Sequence, residues 1–142
     1  MMSVVPIPQR LTAVTLGCRS VPTLRAFYTA IGWRENDGSD DTYTSFTVGT
    51  LRLALYPIEL LGAEAAPNEP PTASGSWNGI TLSLNVATRS EVDEALAAAL
   101  AAGAQRIEDP ADREWGGYSG YYADPESHRW EVAWAPWLTE FD

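Results

Sequence analysis

The chain has no lysine, one cysteine and one histidine. The single cysteine, Cys18, excludes an intrachain disulfide and a cysteine-cluster metal site. The single histidine, His128, leaves no second imidazole for a His-rich metal site or a catalytic relay. Positive charge is scarce: nine arginines, scattered along the chain, face 19 acids, for a net charge of −10. That balance opposes nucleic-acid binding, which needs a cationic surface against phosphates. No apolar run approaches the roughly 20 residues that span a bilayer. The opening MMSVVPIPQR lacks the cationic stretch and apolar block of a secretory signal. The expectation is a reduced, cytoplasmic protein with no membrane or nucleic-acid partner.

What is present suits a folded domain. The 142 residues are 45% hydrophobic and include six Trp and six Tyr, enough for one domain with a real core. The acidic excess reads either as a solvated surface or as a field that attracts cationic ligands.

One pattern is used twice. Arg10 to Cys18 alternate, with Leu11, Ala13, Thr15 and Gly17 on one face and Val14, Leu16 and Cys18 on the other. Ser20 offers an N-cap and Pro22 suits the first helical turn. Val21, Leu24, Phe27, Tyr28 and Ile31 then form an apolar helical stripe that Gly32 stops. Three extended pieces follow, WREN, DTYTSFTVG and TLRLALYP, the last two joined by a hairpin signal. The second half repeats the plan. Gly79 to Ala87 alternate, Ser90 begins a capping-box-like SEVD, and a helix runs to Gly103. QRIED, YSGYYADP and HRWEVAW supply three more extended pieces. Leu16 aligns with Leu84, with extra residues in the second copy. The expected divisions are a first β-α-β-β-β module at 10–57, a surface linker at 58–78, a second module at 79–137 and a tail at 138–142. Within the linker, Glu59 to Ala65 suits a short helical turn. The fold class is α+β, a curved and incomplete barrel around a cavity lined by Thr15, Thr81 and Ser83.

Two such modules, with LGCRSVPTLRAFYTAIGW early and WGGYSGYYADPESHRWEVAW late, resemble the vicinal oxygen chelate superfamily of glyoxalases, bleomycin-resistance proteins and extradiol dioxygenases. The resemblance runs from Leu11 to Trp134 and implies that superfamily's fold, though fold alone does not fix activity. Its metalloenzymes hold a divalent cation with a His from the first strand of each module and a Glu from the last strand. The equivalent positions here are Ala13, Thr81 and Glu131. Where a further glutamate sometimes stands, this chain has Ala54 and Tyr56. One carboxylate beside an alanine and a threonine does not replace a divalent ion's water shell. No metal and no cofactor are therefore expected.

The resemblance and the residue types together nominate a ligand pocket of Thr15, Tyr56, Thr81, Ser83, Trp115, Tyr118 and Glu131. Hydroxyls would orient a ligand, rings would cover its apolar surface, and Glu131 would accept hydrogen bonds or pair with a cation. His128 reads as a turn residue and Cys18 as core packing. The first functional reading is a small-molecule-binding protein that has lost the metal site, with sequestration of a cationic or aromatic compound as its specific form. The alternatives are a metal-dependent lyase or dioxygenase with non-standard ligands, and an interaction module with no ligand. The superfamily's habit, and the aromatic Trp134, Trp137 and Phe141, favour a homodimer.

Overall fold

The computed structural model describes residues 6–70 and 76–138. Strand β1 (Ala13–Cys18) leads into helix α1 (Val21–Ala30), then β2 (Thr44–Val48) and β3 (Leu51–Pro57). Helix α2 (Ile58–Ala65) follows, and then β4 (Thr81–Asn85), α3 (Arg89–Ala101), β5 (Gln105–Asp112), β6 (Tyr118–Ala123) and β7 (Arg129–Trp134). The strands form two sheets, ordered β1-β3-β2 and β4-β7-β6-β5, which do not close into a barrel. In each, the first strand of a module runs parallel to its last: β1 beside β3, β4 beside β7. The duplication read from the sequence thus appears as a repeated strand order.

The two helices start alike. Ser20 Oγ accepts the Thr23 N–H, and Thr88 Oγ1 accepts the Glu91 N–H. The second cap is Thr88, two residues before the expected Ser90, because Glu91 also reaches back to accept the Ala87 N–H at 3.0 Å. Aligning Leu16 with Leu84 sets Ser20 on Thr88, so the repeat itself marks this cap. Both helices end before a glycine in the left-handed region, Gly32 at φ +102° and Gly103 at φ +112°.

The first module departs from the expected three extended pieces. WREN contributes one isolated bridge, Glu35 to Phe46, in place of a strand. Two local interactions compete with a ladder here. Arg25 of α1 holds the Glu35 carboxylate, and Asp40 Oδ1 accepts the backbone N–H of Thr42 and Tyr43 and turns the chain. At the start of the connector, where a short helical turn was expected at Glu59 to Ala65, α2 packs against β1 and β3, with Ile58 so near Gly17 that an added Cβ would lie 3.0 Å from its Cγ1. Glycine in β1 is what lets this helix approach.

One core serves both modules. Leu16, Cys18, Leu53 and Leu55 of the first sheet, and Tyr122, Trp130 and Val132 of the second, belong to a single buried cluster with Leu24, Phe27 and Tyr28 of α1 and Val92, Leu96 and Ala99 of α3. The opposite sheet faces are left to α2, to polar side chains and to solvent.

Candidate functional site

A cavity of about 570 Å³ opens between α2, the edge strands β1 and β4, and the turn that enters β7. Ile58 and Leu61 of α2 and Ile80 and Leu82 beside and within β4 give it apolar walls; Thr15 lines it from β1. Arg19, Glu126, Ser127, His128 and Arg129 line its other side. Its size and mixed lining suit a small organic ligand.

The turn is rigid for identifiable reasons. Asp124, fully buried, accepts hydrogen bonds from Tyr28 OH at 2.7 Å, from the backbone N–H of Glu126 at 2.9 Å and of His128 at 3.0 Å, and faces His128 Nδ1 at 2.8 Å. Trp130 Nε1 in turn donates to the Tyr28 oxygen at 3.0 Å. Glu126 accepts the Arg19 and Ser20 N–H groups at 2.7 and 2.9 Å, which ties the turn to the start of α1. Ser127 takes a positive φ of 75°, the single non-glycine residue to do so among those described. Burial opposes a charge on His128, but the Asp124 carboxylate at its Nδ1, aided by Glu126, outweighs it and raises the His128 pKa above its ordinary value.

The second polar group lies on the open face of the second sheet. Parallel pairing sets Ser83 beside Glu131, and antiparallel pairing sets Tyr121 on its other side. Ser83 Oγ donates to Glu131 Oε1 at 3.0 Å and Tyr121 OH donates to Oε2 at 2.9 Å. Burial and then the Glu131 carboxylate raise the Tyr121 pKa, so its proton stays in place. Thr81 is on the same face, opposite Arg129.

The other nominated residues lie apart from this pair. Tyr56 packs edge-to-face on Tyr43, centroids 6.2 Å apart. Tyr118 lies on the helix-covered face: its OH donates to Asp93 of α3 at 2.6 Å, and the Arg89 guanidinium lies 4.2 Å over its ring. Strand alternation explains the separation, since Tyr118 and Tyr121 are three apart and so point to opposite faces. Trp115 folds over Gly117 and meets Trp137 edge-to-face at 6.1 Å. Thr15 alone of the nominated set lines the cavity. The helical turn at Glu59 to Ala65 and the turn at His128 were read from the sequence, but neither was nominated as cavity lining, which is where α2 and residues 126–129 stand. The Ile58 and Leu61 spacing in IELLGAEA was a signal for an apolar helical face.

The donors around Glu131 do not fit a divalent cation. Both hydroxyls aim their protons at the carboxylate, whereas a cation needs several lone pairs aimed at itself. Ala13, at the position implied for the first imidazole, has no donor side chain, and Thr81 offers a hydroxyl. Among the described residues no group of three or more His, Cys, Asp or Glu side chains converges.

The sequence model of the glyoxalase-like domain family matches residues 13–133, both modules and the connector between them. The chain belongs to that family. This glyoxalase-like protein is therefore a member of the vicinal oxygen chelate superfamily, and solved structures agree with it in fold. A glyoxalase-related enzyme from Fulvimarina pelagi superposes with a TM-score of 0.79 at 25% identity, covering 91% of this chain and 90% of the other. A glyoxalase/bleomycin resistance protein/dioxygenase family enzyme from Burkholderia phytofirmans PsJN gives 0.74 at 23% identity, covering 87% and 97%. A lactoylglutathione lyase from Agrobacterium tumefaciens gives 0.69 at 20% identity, covering 96% and 100%. No curated protein matches the chain. No helix among the described residues is long and apolar enough to cross a membrane.

Proposed function

We propose that this glyoxalase-like protein binds a small organic molecule in the cavity beside α2 and does so without a divalent metal. The observation that carries the reading is the state of Glu131: both of its oxygens accept a hydroxyl proton, from Ser83 and Tyr121. The acid that the superfamily would give to a metal stands here among hydroxyls, with no imidazole or second carboxylate converging on it among the described residues. The open cavity supports ligand binding over a purely structural module, in which side chains would fill that space. Sequestration of a compound is the form of binding we assign to it, and among the described lining residues no hydrogen bond joins a hydroxyl to a basic side chain.

Elemental analysis of purified protein, with thermal melts against Mn²⁺, Ni²⁺, Zn²⁺ and Mg²⁺, tests the reading. The expected outcome is less than stoichiometric metal and no rise in melting temperature, because a ligand that prefers the native state must raise it. Stoichiometric metal that is lost with chelator, and a melting temperature that falls with it, would establish the lyase or dioxygenase reading instead.

We also propose a homodimer. Trp115 and Trp137, 47% and 57% exposed and in mutual contact, form an aromatic patch of the kind that docks another chain. Phe141, assigned to the same surface from the sequence, lies outside the described residues. Sedimentation equilibrium of wild type and of Trp137→Ser tests this, with a shift toward monomer expected in the variant.

A further inference from the structure

The cavity has one end where the acids are already used and the arginines are not. Of the carboxylates that line it, Glu126 accepts from the N–H groups of Arg19 and Ser20, while Asp124, buried behind the lining, accepts from Tyr28 OH, His128 Nδ1 and two backbone N–H groups. Neither carboxylate receives a guanidinium among the described residues. Arg19 makes no ion pair among the described residues, and Arg129 donates only to the Ser127 carbonyl at 3.1 Å. Elsewhere Arg25 holds Glu35 and Asp41, Arg89 holds Asp112 and Arg106 holds Asp109, so Arg19 and Arg129 share their lack of a carboxylate partner among the described residues with Arg10, Arg34, Arg52 and Arg113 but are the two that line the cavity. Glu59 and Glu69, the remaining acids of the lining, are both exposed to solvent.

From these observations we infer that the ligand is an amphipathic carboxylate: its anionic head lies at Arg19 and Arg129, and its apolar body lies between Ile58, Leu61 and Leu82. This rests on the reading of the cavity as a ligand site and adds the class of molecule it takes. Arg19, exposed, and Arg129, half-buried, both line the cavity, and a guanidinium's fork of donors matches a carboxylate's two oxygens. The apolar walls exclude a small, fully hydrated anion as the best occupant. The head-group preference is set by this local pattern, against the sign of the −10 net charge.

The test is a calorimetric titration of the whole chain with three probes of one tail length: octanoate, 1-octanol and octyltrimethylammonium. Octanoate is expected to bind about tenfold or more tightly than octanol, the size of effect a charge-assisted hydrogen bond supplies. Arg19→Gln and Arg129→Gln should each erase most of that advantage and leave octanol affinity unchanged. Gly62→Phe should abolish binding of all three, because a side chain there grows into open space in the lining. Equal binding of octanol and octanoate, or preference for the ammonium, would overturn the anionic assignment and leave the cavity a ligand site. Binding of no probe, or binding that survives Gly62→Phe, would overturn the inference and the cavity reading together. Melting curves of the variants separate loss of affinity from loss of fold.

Discussion

A carboxylate's role is decided by which atoms point at it. Glu131 receives two hydroxyl protons, so its negative charge orients its neighbours. Tyr121→Phe should cost about 1 kcal/mol, the ordinary worth of one such bond at a partly exposed site, and leave the fold intact in urea unfolding curves. Cys18 illustrates the opposite environment. It is fully buried, its Sγ–H donates to the Leu16 carbonyl at 3.2 Å, and burial lifts its pKa to about 12. The thiol should resist Ellman's reagent at pH 8 in native protein and react at once in guanidinium. His128 has a folded pKa raised above its ordinary 6.5. Its contribution to stability is then fully present below the unfolded value and is lost as pH rises through the folded one. Melting temperature should therefore fall from pH 6 toward alkaline values, and His128→Gln should flatten that slope. These residue environments were only partly legible. That Cys18 packs inward followed from strand alternation, but nothing in YSGYYADP says which tyrosine meets Glu131, because register is fixed by the partner strand.

Helix ends and strand limits depend on competition between neighbouring groups. Thr88→Ala should cost about 1 kcal/mol, a fall of about 3 °C in melting temperature, by removing the acceptor for the Glu91 N–H. Ser90→Ala, at the position the sequence first suggested, should leave the melting temperature nearly unchanged. Alternation and apolar stripes made β1, α1, β4 and β7 legible. WREN failed as a strand because Arg25 and the Asp40 turn claimed its surroundings, and those partners lie outside the four residues themselves. Helix α2 was visible only as a turn within a connector, since its packing depends on Gly17 of a distant strand. One wall of the candidate site came into view only with that helix in place.

Across the whole molecule, the two modules share a core and a buried polar hub. Tyr28 of the first donates to Asp124 of the second and accepts from Trp130. Tyr28→Phe leaves a buried carboxylate oxygen short of a donor and an indole N–H without an acceptor. The expected loss is about 2–3 kcal/mol, in one cooperative transition seen alike by fluorescence and circular dichroism. The superfamily fold was legible because the same pattern recurs along most of the chain. The ligand class proposed above was less so, because net charge averages over the whole surface and does not show that Arg19 and Arg129 line one cavity.

The ties across that hub are made by side chains of the two modules, and among the described residues the connector adds none of them. Severing the backbone between 70 and 76 should then yield two pieces that seek each other in solution. Co-expressed, residues 1–70 and 76–142 would assemble into a soluble heterodimer, each alone staying aggregated. A reporter split at the same point would be switched on by that reunion.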